Sequence, residues 1–412
     1  MIYFDNSATT VPYPEALRTY QEVATKIFGN PSSLHQLGTS ATRILEASRK
    51  QVAELIGKSA DEIFFTSGGT EGDNWVIKGV AFEKEPYGKH IIVSDIEHPA
   101  VKESAKWLSE HGFEVSYAPV NEQGFVDVEA LAGLLRPDTI LVSVMAVNNE
   151  IGSIQPIQAI SDLLANEPTI SFHVDAVQAI GKIPVSSYLT DRVDFATFSG
   201  HKFHAGRGVG FVYKKAGKKI TPLLTGGGQE KDFRSTTENV AGIASMAKAL
   251  RLVTDKEEFS LPKIAKMKKI IFDELAKYED ITIFSGEGED FAPNILTFGI
   301  KGVRGEVIVH AFEEHQIYIS TTSACSSKAG KPAGTLISMG VPTKLAQTAV
   351  RISLDDDNDM GQVEQFLTIF KQVYAKTQKE IARFNRLNNK TKFEFKRKRN
   401  DTNLFRNYGS LW

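Results

Sequence analysis

The sequence is poor in cysteine, in net charge and in long apolar runs, and each scarcity removes a class of function. Among 412 residues there is one cysteine, Cys325. An intramolecular disulfide and a cysteine-built zinc site are therefore impossible, and the lone thiol is either packing or chemistry. Lys+Arg number 48 against 50 Asp+Glu, a formal net charge of -2, so no overall field draws the folded body to nucleic acid or to an acidic membrane. No apolar run reaches the roughly 18 residues of a spanning helix. The opening Met1-Ile2-Tyr3-Phe4-Asp5-Asn6 lacks a basic segment followed by an apolar one. A soluble, cytoplasmic protein without membrane contact is expected.

What is present is enough apolar material for a large core: 42% of the residues are hydrophobic, and the length suits two domains or one large α/β unit. Short β-branched runs recur at Ile63 to Thr66, Ile91 to Ser94, Thr139 to Val144, Ile170 to Val174, Asp194 to Phe198 and Val209 to Tyr213. Between them, Asp73 to Glu83, Ala100 to His111 and Ile157 to Ala165 carry helical spacing, as crossover helices of a mostly parallel sheet do. Beyond about Ile243 the texture changes to two long helical stretches, Met246 to Asp255 and Leu261 to Tyr278, then short strands at Ile281 to Phe284 and Ile295 to Phe298. A boundary is placed near residue 255. From Arg383 onward, basic residues alternate with Phe384, Phe393, Phe395, Phe405, Tyr408 and Trp412 without clear periodicity, which marks an appended tail.

Three segments carry candidate chemistry. In Asp194-Phe195-Ala196-Thr197-Phe198-Ser199-Gly200-His201-Lys202 a buried strand ends in a polar turn, followed by the glycine-rich Ala205-Gly206-Arg207-Gly208-Val209-Gly210. A lysine there sits beside backbone that a ligand can approach closely, although a solvated surface lysine has the same local sequence. Phe172-His173-Val174-Asp175 ends a second apolar strand, far enough upstream for one crossover helix to set Asp175 and Lys202 at adjacent strand ends, where α/β sheets bind ligands. A buried carboxylate suits a pyridinium nitrogen and the lysine amine an aldehyde; capping of the following helix is the other use of such an aspartate. Phe65-Thr66-Ser67-Gly68-Gly69-Thr70-Glu71-Gly72 runs from strand to helix and offers backbone N–H groups to a phosphate, or makes an ordinary turn. It lacks the Gly-Lys-Ser/Thr ending of a nucleoside triphosphate loop.

Taken together, these residues resemble the class V aminotransferase family of pyridoxal phosphate (PLP) enzymes, in the lysine signature from Val193 to Phe211. Thr66 to Glu71, Glu97-His98, Asn148-Asn149-Glu150-Ile151-Gly152, His173-Val174-Asp175 and Ser323-Ala324-Cys325 resemble its cysteine desulfurase branch, in order, over residues 2 to about 380. The resemblance implies an α/β fold of PLP fold type I. Residues 15–255 would form a large domain on a mostly parallel seven-stranded sheet, and residues 1–14 with 256–385 a smaller α+β domain carrying the cysteine loop. It makes Lys202 the lysine that bonds the cofactor and shuttles protons, Asp175 the partner of the pyridine nitrogen, Gln178 the partner of the ring hydroxyl and His98 a catalytic residue that stacks on the ring and can move protons. Gly69, Thr70, Ser199 and His201 would cradle the phosphate, with Thr237 reaching in from the other subunit of a homodimer. Asn149 would contact both cofactor and substrate, and Arg351 would hold substrate, its guanidinium gripping the carboxylate of L-cysteine. No metal is implied.

Cys325 decides the branch. Ser320 to Gly334 is too polar and too rich in small residues for a core, so the thiol is expected on an exposed, mobile loop, with Lys328 and Lys331 favouring its thiolate. The expected reaction converts L-cysteine to L-alanine, leaves sulfur on Cys325 as a persulfide, and hands it to an acceptor protein, an iron-sulfur scaffold or a tRNA-thiolation enzyme. The rivals are an aminotransferase or lyase of the same fold, and a non-catalytic scaffold. The sequence departs from the family at Thr236, where glycine is usual, and in the tail of residues 386–412. That tail is a solvated extension, a contact for RNA or a dock for an acidic protein.

Overall fold

The computed structural model describes residues 1–322, 334–380 and 382–383. The chain opens with β1 (Ile2–Tyr3), α1 (Pro14–Lys26) and α2 (Gln36–Leu55), then alternates: β2 (Ile63–Thr66), α3 (Gly69–Lys84), β3 (His90–Ser94), α4 (Pro99–Ser109), β4 (Glu114–Ala118), α5 (Val128–Leu134), β5 (Thr139–Ser143), α6 (Ile157–Leu163) and β6 (Ser171–Asp175). β7 (Phe195–Ser199) and β8 (Gly210–Lys214) complete one seven-stranded sheet in the order β2-β8-β7-β6-β5-β3-β4. Only β8 runs antiparallel to its neighbours.

The apolar runs become strands because helices cover both sheet faces. β2, β3, β5, β6, β7 and β8 are buried at every residue, as sheets with two covered faces require. One face packs Phe65, Ile92, Val142, Phe172, Val174 and Phe198 against α2 and against Ile243, Met246 and Leu250. The other packs Phe64, Val93, Phe195 and Val212 against Trp75, Ile77 and Val80 of α3. The six strand runs read from the sequence each appear within a residue of their expected ends. β4, the exposed edge strand, carries no such run.

α7 (Val240–Leu275) is one helix of 36 residues where the sequence suggested two. The intervening Lys256-Glu257-Glu258-Phe259-Ser260 favours helix, and Pro262 sits inside it. Val253 and the residues before it pack in the first core, and Ile264, Met267, Ile271 and Leu275 in a second. That second core fills the space around β9 (Ile281–Ile283), β10 (Ile295–Ile300), α8 (Gly305–Glu313), β11 (Ile317–Tyr318), β12 (Ser320–Thr321), β13 (Ala349–Ser353) and a final helix over 360–380, while α9 (Gly334–Ser338) and α10 (Thr343–Ala346) pack Leu336 and Ala346, with Met339 between them, in a smaller cluster with Ile151 and Phe284. Its antiparallel sheet runs β12-β13-β10-β9. The amino terminus belongs to this core: β1 pairs with β11, and Ile2 and Phe4 are buried in it. Residues 5–13 then cross to the ends of β6 and β7, with Thr10 N donating to His201 O at 2.9 Å and Tyr13 N to His204 O at 3.0 Å.

No helix among the described residues is long and apolar enough to cross a membrane.

Candidate active site

Lys202 closes a 3-10 turn, Gly200–Lys202, directly after β7, and Asp175 is the last residue of the neighbouring parallel strand β6. The connection between them is not the crossover helix expected from sequence. Gly181, in the left-handed region at φ 68, and Pro184 interrupt it, leaving turns and one short 3-10 segment, Val185–Ser187. Asp175 is buried, and Oδ1 accepts from Val177 N at 2.9 Å, so it caps the turn as well as facing the site. Burial raises its pKa to about 6, against the N–H bond from Val177 and the nearby charge of Lys202. Lys202 is half-buried, and its Nζ donates to Ser7 O at 2.5 Å and Ala8 O at 2.9 Å.

The glycine pair opens α3 as a cradle. Gly68 has φ 152, and a Cβ on Gly69 would lie 2.7 Å from Val177 Cγ2 and 3.5 Å from Ser199 Cβ. No side chain caps α3, so its first N–H groups point outward unclaimed by a cap, a site for an anion. Ser199 is buried beside this turn, and Thr70 and His98 line one cavity of about 510 Å³ between the starts of α3 and α4. His201 lies 3.1 Å from Thr9 Oγ1 through Nδ1, and burial, then the charges of Lys202 and Arg207, lower its pKa to about 4. These donors, with the buried carboxylate and the amine, match pyridoxal phosphate: an anion cradle, a partner for a ring nitrogen and a nucleophile for an aldehyde.

His98 caps α4, accepting from Ala100 N at 3.1 Å, with Pro99 at the first helical position. Burial and then Lys202 bring its pKa down to about 4, so its ring is neutral at physiological pH. Gln178 Nε2 donates to Ser7 O at 3.0 Å, the same carbonyl that accepts from Lys202.

Arg351, in β13, is buried, at 4%. Nη1 donates to Asn149 O at 2.7 Å, which brings the two expected substrate-binding residues together. The turn holding Asn149 is fixed by Asn148, whose Oδ1 accepts from Glu150 N and Ile151 N and whose Nδ2 donates to Thr335 Oγ1 at 3.1 Å. Cys325 lies outside the described residues, within 323–333. The flanks of that segment are described: Ser320 and Thr321 pair with Arg351 and Val350, and Thr335 meets Asn148. Both ends thus stand beside Asn149 and Arg351. Residues 386–412 of the tail also lie outside the described residues.

Thr237 is exposed on a loop that Arg234 ties to α3 through Glu71, Nε to Oε1 at 2.6 Å and Nη2 to Oε2 at 2.9 Å. Thr236 does not occupy the left-handed region, so the loop takes an ordinary residue where the family has glycine.

Sequence reading gave no role to several buried polar residues around the site. Asp73 of α3 lies 3.7 Å from His173 Nε2, both fully enclosed. His173 also meets Ser143 Oγ at 2.8 Å and Thr197 Oγ1 at 2.9 Å, and burial holds its pKa near 3. Burial and the neighbouring Asp175 push Asp73 well up. Glu97 accepts from Ser94 Oγ at 2.5 Å and Met145 N at 2.7 Å. The available signal was a charge inside an apolar pattern, as in Asp73-Asn74-Trp75-Val76-Ile77. His204, Asp355 and Asp356 converge closely enough to hold a metal ion, but Lys182 Nζ lies 2.7 Å from Asp355 and Lys256 Nζ 2.8 Å from Asp356, so two ammonium groups already supply the countercharge.

Residues 2–366 match the aminotransferase class-V family. A protein of Lactobacillus delbrueckii subsp. bulgaricus named NifS/IcsS protein homolog is 52% identical over 374 residues, 91% of this chain and 97% of the relative. A cysteine desulfurase IscS of Methanosarcina thermophila is 40% identical over 375 residues, 91% and 92% of the two chains. A solved structure described as a NifS-like protein superposes with a TM-score of 0.85 at 38% identity, covering 91% of this chain and 99% of that one.

Proposed function

The chain belongs to the aminotransferase class-V family, and from that premise we propose how its residues divide the work of converting L-cysteine to L-alanine. It is a pyridoxal phosphate-dependent cysteine desulfurase. When bound, pyridoxal phosphate supplies an aldehyde for amines and a ring that accepts the electrons released at Cα. Residues 15–255 hold it, and residues 1–14 with 256–385 bring the Cys325 loop.

Lys202 would hold the cofactor through its side-chain amine, and the same amine would take and return the Cα proton of the substrate. Asp175 would pair with the pyridine nitrogen, Gln178 would bond the ring hydroxyl, and His98 would stack on the ring and could move protons. Gly69, Thr70, Ser199 and His201 hold the phosphate, and Thr237 completes the cradle of the other subunit in a cytoplasmic homodimer. Asn149 and Arg351 fix the substrate carboxylate. The Cys325 thiolate attacks the substrate sulfur: a sulfur–sulfur bond forms, the Cβ–Sγ bond breaks, its electron pair goes to Cβ, and protonation there and at Cα gives L-alanine. The persulfide on Cys325 then passes to an acceptor protein, an iron-sulfur scaffold or a tRNA-thiolation enzyme.

The observation that carries this reading is the adjacency of the Lys202 turn and the buried Asp175 carboxylate at neighbouring parallel strand ends. Its test is Cys325→Ser. The variant should stay yellow with cofactor yet release neither sulfide nor alanine from cysteine. Retention of full turnover, or a requirement for an added keto acid in the parent enzyme, would return the assignment to an aminotransferase or lyase.

A further inference from the structure

Three consecutive residues of the amino-terminal strap meet three groups proposed to handle the cofactor. Lys202 Nζ donates to the carbonyls of Ser7 and Ala8, Gln178 Nε2 to that of Ser7, and His201 faces Thr9 Oγ1. The strap is pinned on both sides of these contacts. Ser353 Oγ accepts from Ser7 N at 2.8 Å. Beyond Thr9, the chain is bound on both sides of Lys202: Thr10 Oγ1 donates to His201 O at 2.9 Å and accepts from His204 N at 2.7 Å.

His204 is the centre of that attachment. It sits at φ 65, a conformation that costs a non-glycine residue free energy and persists only where its surroundings enforce it. Its Nδ1 donates to Val11 O at 2.8 Å, and its ring stacks on Tyr13 at 4.1 Å with an interplanar angle of 11°. Nε2 lies 3.2 Å from both Asp355 and Asp356. Tyr13 OH donates to Asp356 Oδ2 at 2.9 Å, closing the ring of contacts.

We propose that the carbonyls of Ser7 and Ala8 are the docking point of the Lys202 amine whenever its bond to the cofactor is open, and that His204 is the positioning residue that holds the strap carrying them. The proposal rests on the reading of Lys202 as the cofactor lysine. Two carbonyl oxygens favour the ammonium over the neutral amine. A lysine that has just been displaced, or has just taken a proton, is therefore held within reach of its bonding position rather than released to solvent.

The test uses the cofactor-free protein and follows the absorbance gained on adding pyridoxal phosphate as a function of pH. Only the neutral amine attacks an aldehyde, so the midpoint of the association rate against pH reports the proton affinity of Lys202. The charged and titratable groups around that amine are Asp175, His98 and His201, with Arg207 beyond His201; around His204 they are Tyr13, Asp355, Asp356, Asp357, Lys182 and Lys256. His204→Asn keeps a residue type that tolerates the left-handed backbone and removes the ring and its ion pairs. Its midpoint should fall by about one pH unit, the scale of one charge-assisted hydrogen bond. Ser353→Ala, which removes only the acceptor for Ser7 N, should shift it the same way by less. An unchanged midpoint in Ser353→Ala together with either an unchanged midpoint or failure to fold in His204→Asn overturns the proposal. If instead Lys202→Ala gains the same absorbance at the same rate as the parent, the reading of Lys202 fails, independently of the strap.

Discussion

Arg351 and Asp5 form an ion pair, Nη2 to Oδ1 at 3.1 Å, where the amino-terminal segment crosses β13. Asp5 Oδ2 accepts from Ser320 Oγ at 2.6 Å, so the pair also ties down the strand from which the Cys325 segment departs. Among the described residues, the buried Arg351 Nε has no hydrogen-bond partner, although the same guanidinium bonds Asn149 O. In the proposed reading, a substrate carboxylate would take up this donor. Arg351→Lys keeps a positive charge but loses the planar fork. It should raise KM for cysteine by about 10-fold to 100-fold, the value of a charge-assisted bond, with cofactor content unchanged. Steady-state kinetics on the loaded enzyme check this; an unchanged KM contradicts it.

Glu97 gives a pH signature. Burial first, and then repulsion from Asp175, raise its pKa from about 4.5 to about 8. Between these values the folded protein binds a proton that the unfolded chain has released, so this component of stability declines as pH rises across the window and is level beyond it. Glu97→Gln keeps Oε1 as acceptor for Met145 N and removes the titration. Urea unfolding midpoints of the variant should decline less steeply between about pH 4.5 and about pH 8. Parallel profiles for parent and variant would show that Glu97 is ionised in the fold.

The glycines of the cradle divide into two kinds. A Cβ on Gly210 would come 2.5 Å from Phe198 O and 2.8 Å from Gly68 Cα, both backbone, whereas that on Gly69 would meet the tip of Val177 at 2.7 Å. Gly210→Ala should therefore cost about 1–3 kcal/mol of stability. Gly69→Ala moves a side chain that lies between the cradle and Asp175, and should weaken cofactor retention more than it lowers the melting temperature. Thermal melts and cofactor content after dialysis separate the two; equal loss of stability without cofactor loss in Gly69→Ala contradicts the cradle.

How much of this was legible beforehand follows from burial. The six buried strands announce themselves as apolar runs because both faces of each are covered, and Lys202, Asp175 and the Gly68-Gly69 turn lie at their ends. The edge strand β4, with only Ala118 buried, has no comparable pattern. Two further features depend on partners distant in sequence. His204 faces Asp355 and Asp356, and Lys202 faces Ser7 and Ala8, so neither network leaves a spacing that a local reading detects. Arg351 was legible only through the family resemblance, because its counterion, Asp5, lies at the opposite end of the chain.

The assignment of position 202 is open to direct chemical trapping. Borohydride reduction of the yellow enzyme, followed by proteolysis and mass spectrometry of the peptides, fixes the cofactor permanently to whichever amine it occupies. The account predicts a pyridoxyl-phosphate adduct on the peptide containing Lys202; an adduct confined to another lysine, or none on a protein saturated with pyridoxal phosphate, contradicts it.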